Sequence, residues 1–380
     1  MVHRQDQVEM ILRHVDSLSS KYKKAPVRFR IEPAPQYCNQ DGQLTCSPGA
    51  LFEGTVLVQL SEPLAAVQLK LAFKLSEMLN YDAIAWGKRI VEDRIFNVRT
   101  VLWGHPSHDT ESVRNWPVME PGYHLFPFTC AMPNVNYPPS ALNNTLVYYA
   151  FHIVATLDRP GLRPFQTEPC VVSFQPKIPI PPTLALASST TSFKEEKQLG
   201  PISVAVRVPT TTYHIGDILR VAIRASDLIF ATVSLEQHFK VTTSAFHSTK
   251  TIVLKHVQRR METGEFLILL NEEDGVSPSF EYGRQVDMRY SVKIVVKCKQ
   301  NTLQTKKKTF LVPVFIATAS AAEVALEDEL LLPYTDDVVV SDNTLLTKPK
   351  FLRHQTEPLP LLPPYDAADC PPGYCAEEAD

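Results

Sequence analysis

Two periodicities divide the chain. Over residues 7–18, QVEMILRHVDSL, the apolar positions Val8, Ile11, Leu12, Val15 and Leu18 recur every three or four residues. That spacing puts them on one face of a helix. Such a leader packs on the body of the protein or stays frayed, or else serves a membrane or partner. The period then becomes two. Val67, Leu69, Leu71, Phe73 and Leu75 alternate with Gln68, Lys70, Ala72 and Lys74, the pattern of a half-buried strand. Further strands are predicted near 27–32, 54–60, 89–100, 124–131, 146–156 and 168–174, punctuated by Pro, Gly, Asn and Asp. Short strands at such intervals without intervening helices predict an antiparallel β-sandwich.

The stretch PKIPIPPT at 176–183 interrupts this alternation. Each proline lacks a ladder donor, so the segment cannot be a central strand. It reads as a stiff hinge, with an SH3-type ligand as the alternative. Alternation resumes in Val204, Val206 and Val208, in Leu219, Val221 and Ile223, and in Val292, Ile294 and Val296; a last strand is predicted near 308–316. Beyond Thr318 the pattern fails. Residues 323–342 carry Glu323, Glu327, Asp328, Glu329, Asp336, Asp337 and Asp342 with no lysine or arginine. Like-charged, weakly apolar sequence cannot offset its ordering entropy by burial. The expected organisation is an all-β chain of two tandem antiparallel sandwiches. It has a helical leader at 1–24, a first sandwich at 25–175, a Pro-rich linker at 176–199, a second sandwich at 200–319 and an acidic disordered tail at 320–380.

Composition narrows the function. The net charge of −3 gives no overall bias toward nucleic acid or an anionic membrane. The seven cysteines are scattered and form no CxxC, which argues for reduced thiols rather than a disulfide or zinc framework. MVHRQDQVEM lacks the apolar core of a signal peptide. A cytoplasmic protein is expected, and the Asn143-Asn144-Thr145 sequon is read as unused. GxSxG, P-loop, GxGxxG and HExxH patterns are absent from the sequence. His105 and His108 lack further ligands at metal spacing. No enzyme activity, cofactor or metal is expected.

The ordered set of sequence blocks resembles the arrestin superfamily, and within it the α-arrestins, the arrestin-domain-containing adaptors. The first half contributes 49-GALFEGTVLVQL-60, 122-GYHLFPFTCAMP-133, Pro139-Ser140 and YYAFHIVATLDR at 148–159. The second contributes 213-YHIGDILRVAI-223, VSLEQ at 233–237, 277-SPSFEYG-283 and Val312-Pro313-Val314. The chain departs from the family where a glycine is common and AFKLSEMLNYD stands at 72–82. The resemblance implies two seven-stranded sandwiches joined by a short hinge. It also implies an adaptor that links a membrane protein to ubiquitylation and endocytosis, recruited to plasma membrane and endosomes.

The tail carries the sharpest motifs. Pro371-Pro372-Gly373-Tyr374 is a PPxY sequence, and Leu362-Pro363-Pro364-Tyr365 is the looser LPxY form. Consecutive prolines hold a polyproline II ridge whose ordering cost is largely met in the free chain. A WW domain's aromatic groove takes that ridge, and the tyrosine fills the adjacent pocket. The expected partner is a WW-domain HECT-type ubiquitin ligase. Tyr365 and Tyr374 are nine residues apart, at most ~30 Å, so two WW domains of one ligase could engage at a local concentration of roughly millimolar.

Weaker signals remain. Glu327, Leu331 and Leu332 fit an acidic dileucine signal for clathrin adaptors, the alternative being a segment folded back on the second sandwich. The basic clusters 255-KHVQRR-260 and 305-TKKK-308 read either as solvated hairpin tips or as contacts for anionic lipid or acidic cargo tails. Without interleaved stacking aromatics they do not suit nucleic acid. Lys194 and Lys197 are candidate ubiquitin acceptors. The alternative function is a retromer-like structural subunit for endosomal cargo sorting.

Overall fold

A computed structural model describes residues 24–80, 90–104, 117–140, 147–159, 162–181, 184, 192–199, 202–242, 247–260, 264–280, 285–299, 304–319, 332–333 and 348–352. The helix expected at 7–18 lies outside them. What is described is almost entirely strand, as the alternation predicts.

In the first half the strands are β1 (Arg28–Pro33), β2 (Leu44–Cys46), β3 (Leu51–Leu60), β4 (Leu64–Ala65), β5 (Gln68–Asn80) and β6 (Ile90–Gly104). They continue with β7 (Val118–Met119), β8 (Gly122–Ala131), β9 (Val135–Asn136), β10 (Val147–Arg159), β11 (Leu162–Gln166) and β12 (Cys170–Phe174). The second half holds β13 (Phe193–Leu199), β14 (Ile202–Val208), β15 (Thr212–His214), β16 (Ile218–Ala225) and β17 (Leu228–Thr242). It is completed by β18 (His247–Arg260), β19 (Gly264–Leu269), β20 (Val286–Lys299) and β21 (Thr305–Ala317). Two strands follow, β22 (Leu332–Pro333) and β23 (Lys350–Leu352).

Each half is a sandwich. In the first, a sheet ordered β1-β3-β8-β23 faces one ordered β2-β12-β10-β5-β6, with β11 added on β10. In the second, β13-β14-β16-β19 faces β15-β21-β20-β17-β18. Within these four sheets neighbouring strands are antiparallel except for short parallel pairs, β2 on β12 and β15 on β21, which occupy the same edge position in the two halves. Alternation sets the burial: Phe52, Val56 and Val58 point inward from β3, and Leu69, Leu71, Phe73 and Leu75 point inward from β5. Phe52 meets Phe73 across the two sheets edge to face, with centroids 5.5 Å apart.

Two expectations about boundaries are corrected. The linker read over 176–199 ends earlier, because Phe193–Leu199 pairs with β14 along seven residues and belongs to the second sandwich. Its proline-rich run had hidden a strand whose alternation of Glu, Lys and Gln gives no apolar stripe. The tail read as lacking structure over 320–380 contains β22 and β23. Phe351 of β23 is buried and lies edge to face with Phe128 at 6.3 Å. Burial of the Phe351 ring and ladder pairing with β8 together hold these three residues at the sheet edge. Apart from residues 348 and 349, the remainder of 320–380 lies outside the described residues.

Candidate functional site

The residues that join the halves come first, because they place every candidate surface. Thr318, just past β21, laces the proline hinge: its hydroxyl donates to the carbonyl of Pro176 at 2.5 Å and accepts from the amide of Ile178 at 2.7 Å. Its own amide donates to the carbonyl of Ile178 at 3.0 Å. From the other side, the 277–280 loop is held by Tyr290. The buried Tyr290 hydroxyl donates to the carbonyl of Ser277 at 2.8 Å and accepts from Nε2 of Gln237 at 2.8 Å. Burial pushes this phenol above its ordinary pKa, and the Ser277 and Gln237 hydrogen bonds pull it part of the way back. The loop thereby presents Phe280 to Tyr149 of β10, ring centroids 5.9 Å apart and nearly perpendicular. Hinge, loop and ring pair form the seam between the sandwiches.

Beside this seam opens a cleft of about 1030 Å³, with Asp41, Gln175 and Lys177 on the first sandwich and Glu272, Glu273 and Asp274 on the second. Lys255 of β18, in the same sandwich, pairs with Asp274 and donates to the carbonyl of Leu269 at 2.9 Å, so part of the acidic wall is neutralised.

The basic clusters, expected at hairpin tips, lie inside strands. Residues 255–260 are the last six of β18 and residues 305–308 the first four of β21. Register brings them to one end of the same sheet. Arg260 lies opposite Phe230, Phe230 opposite Lys297, and Lys297 opposite Lys307, making one row across four strands. Lys297 Nζ stands 5.8 Å from the Phe230 ring centre. Lys299, two residues along β20, extends the patch. Sequence reading missed Lys297 and Lys299; the signal available was their period-two spacing with Lys293 on a strand that otherwise reads as core. Lys293 itself pairs with Glu236 at 2.9 Å.

The remaining candidates divide by location. Leu362, Pro363, Pro364, Tyr365, Pro371, Pro372, Gly373 and Tyr374 lie outside the described residues, as do Glu327, Leu331, His105 and His108. Leu332 is in β22, paired in parallel with Val135 of β9. The fold-back partner is therefore the first half and not the second sandwich. Lys194 on β13 is exposed. Lys197 is half-buried, pairs with Glu195 and sits 5.7 Å from the Phe310 ring centre.

Five described cysteines are free thiols: Cys38, Cys46, Cys130, Cys170 and Cys298. Burial drives the Cys46 thiol far above its ordinary pKa, with neighbouring Cys130 adding to the effect. Burial likewise pushes Cys130 up to about 12. Neither has the depressed pKa of a nucleophile. Among the described residues, no group of three or more His, Cys, Asp or Glu is placed to hold a metal ion. Among them, too, no helix is long and apolar enough to cross a membrane. No protein-family model and no curated protein matches the chain.

Proposed function

We propose that the chain is an adaptor that ties a WW-domain ubiquitin ligase of the HECT type to a membrane-protein client. The observation that carries this reading is the pair of proline–tyrosine motifs, 362–365 and 371–374, a short distance beyond a strand fastened to the body. Ten residues run from Leu352 at the end of β23 to Leu362, a reach of at most ~35 Å. A ligase held there stays close to whatever the two sandwiches grip. Catalysis is by proximity, and this chain contributes no reacting group.

The client side rests on two surfaces. The seam cleft suits an extended cytoplasmic segment, and the Arg260–Lys297–Lys307 row suits acidic cargo tails or anionic headgroups. Recruitment to plasma membrane and endosomes, and a clathrin-adaptor contact through Glu327, Leu331 and Leu332, belong to the same proposal.

The test is a calorimetric titration of the full chain with an isolated WW-domain protein. Tyr374→Ala is expected to weaken binding and Tyr365→Ala/Tyr374→Ala to abolish it. Unchanged affinity in the double variant overturns the ligase reading. An interaction comparison should use a chain cut after Leu352, which leaves β23 in place: ligase partners are lost and clients retained.

A further inference from the structure

The two sandwiches differ at one matching place. In the first, β1 pairs with β3 along residues 54–59. Ten residues, 34–43, then lead to β2, and the first of them still contacts β3: the Ala34 amide donates to the carbonyl of Glu53 at 3.0 Å. In the second, β14 pairs with β16 only along residues 222–225. The chain leaves the sheet after Val208, because Pro209 has no amide with which to continue the ladder. Three residues, 209–211, carry it to β15 on the opposite sheet. Residues 218–221 of β16 therefore have β19 on one side and, among the described residues, no strand on the other.

The outcome is a notch of about 450 Å³ whose walls include Pro209, Thr210, Tyr213, Asp217, Ile218 and Arg220. Its polar groups are poorly matched. The Asp217 carbonyl accepts from the Leu270 amide on the β19 side; by alternation the backbone groups of Ile218 and Arg220 face the notch. Tyr213 is 3% exposed, and its hydroxyl oxygen is buried without a hydrogen-bond partner. Burial pushes this phenol up to about 12, and the nearby Arg220 backbone pulls it part of the way back. Buried hydroxyls are otherwise almost always bonded. Arg220 meets Glu265 only at 3.8 Å, at the limit of an ion pair, whereas Asp217 is engaged by the His214 amide at 2.7 Å. On the outer face Ile218 lies opposite Leu269 and Arg220 opposite Leu267, and all three aliphatic side chains are exposed.

We infer that the notch receives an extended segment of a partner protein, added antiparallel to β16 as the continuation that β14 lacks, with an acidic residue opposite Arg220 and an aliphatic residue opposite Ile218. Arg220 and Ile218 are two strand positions apart, so the segment reads acidic residue, any residue, aliphatic residue from N- to C-terminus. Its main chain pairs with Ile218 and Arg220, and Tyr213 gains the acceptor it lacks. Charge selects the occupant, because a lysine opposite Arg220 is repelled. For its cellular occupant the inference rests on the adaptor reading, the segment belonging to the client; the pairing itself stands apart from the ligase motifs.

Fluorescence anisotropy of the full chain with the labelled octapeptide Gly-Ser-Thr-Glu-Val-Ile-Thr-Ser tests the inference. Saturable binding is expected, at least about tenfold weaker when Lys replaces Glu in the peptide or when its Glu and Ile amides are N-methylated. Arg220→Glu, at an exposed position, should reverse the preference toward the Lys peptide. Tyr213→Phe should weaken binding about fivefold and leave the urea midpoint of the free chain unchanged or raised, since no hydrogen bond is lost. Absence of saturable binding overturns the inference. So does equal affinity for the Glu, Lys and N-methylated peptides, or a preference that Arg220→Glu leaves in place. A lower midpoint in Tyr213→Phe makes the phenol a structural bond and overturns it too. The assay contains neither ligase nor membrane and keeps Tyr365 and Tyr374 intact, so its failure is distinct from failure of the WW-domain titration.

Discussion

The two sandwiches share an architecture and fill it differently. The first is locked by rings. Phe151 stacks on Phe174 at 5.0 Å and stands 6.2 Å from Phe96, 6.2 Å from Tyr137 and 6.5 Å from Phe73. The second is filled mainly by cross-strand aliphatic pairs such as Val206 with Ile223, Val233 with Ile294, and Val292 with Val312. Ring clusters demand particular angles, while branched aliphatic pairs tolerate exchange of similar volume. The surfaces differ as well. The first sandwich receives a late segment of the chain, β23, at the edge of its smaller sheet. The second offers a cationic row instead. One half holds a returning segment of its own chain at a sheet edge, and the other carries a row of cations at a sheet end.

The largest expected effect tests the cores. Phe151→Ala should lower the unfolding free energy of the first sandwich by about 3–5 kcal/mol, against about 0.5–1.5 kcal/mol for Ile294→Val in the second. Urea unfolding followed by exchange at β10 and β20 checks both. Equal losses, or identical midpoints for the two halves, would break the contrast.

Next comes the seam. Tyr290→Phe strips the donor to Ser277 and the acceptor for Gln237, both in buried surroundings, at a cost of about 1–3 kcal/mol. Faster exchange in 277–280, with β5 unchanged, is the expected signature. Phe351→Ala then tests the added edge strand. Trypsin should cut after Lys350 on the order of tenfold faster, since a three-residue strand opens locally without global unfolding. An unchanged rate means that Phe351 does not hold the tail.

Smaller still is the cationic row. Arg260→Ala, Lys297→Ala and Lys307→Ala together should weaken adsorption to anionic vesicles by ~1 kcal/mol per cation at low salt. Folding stability should shift by no more than ~0.5 kcal/mol per site. The smallest expected change concerns the thiols. Since Cys130 is pushed up to about 12, only a minor fraction is thiolate below that pH, and native Cys46 and Cys130 should resist alkylation at pH 8. Rapid labelling of either would show that the first core opens.

Strand positions were legible because alternation is a local property. The reading at 146–156 matches Val147–Arg159 in all but its first residue, and that at 308–316 falls within Thr305–Ala317. Phe193–Leu199 was not legible, since its polar alternation resembles a linker until β14 is there to pair with it. Phe351 was not legible either. KPKFL contains one aromatic in a polar run, and only the slot beside Phe128 gives it a place.

By itself the sequence determined the all-β class, the division into two halves near the prolines and the presence of paired proline–tyrosine motifs, because each is written in consecutive residues. Only the tertiary structure decided that Arg260 and Lys307 share a row, that Thr318 laces the hinge, and that Lys350–Leu352 returns to the first sheet. These join residues dozens to hundreds of positions apart. Register between strands, which creates such neighbours, is set by how whole faces bury and not by any local pattern.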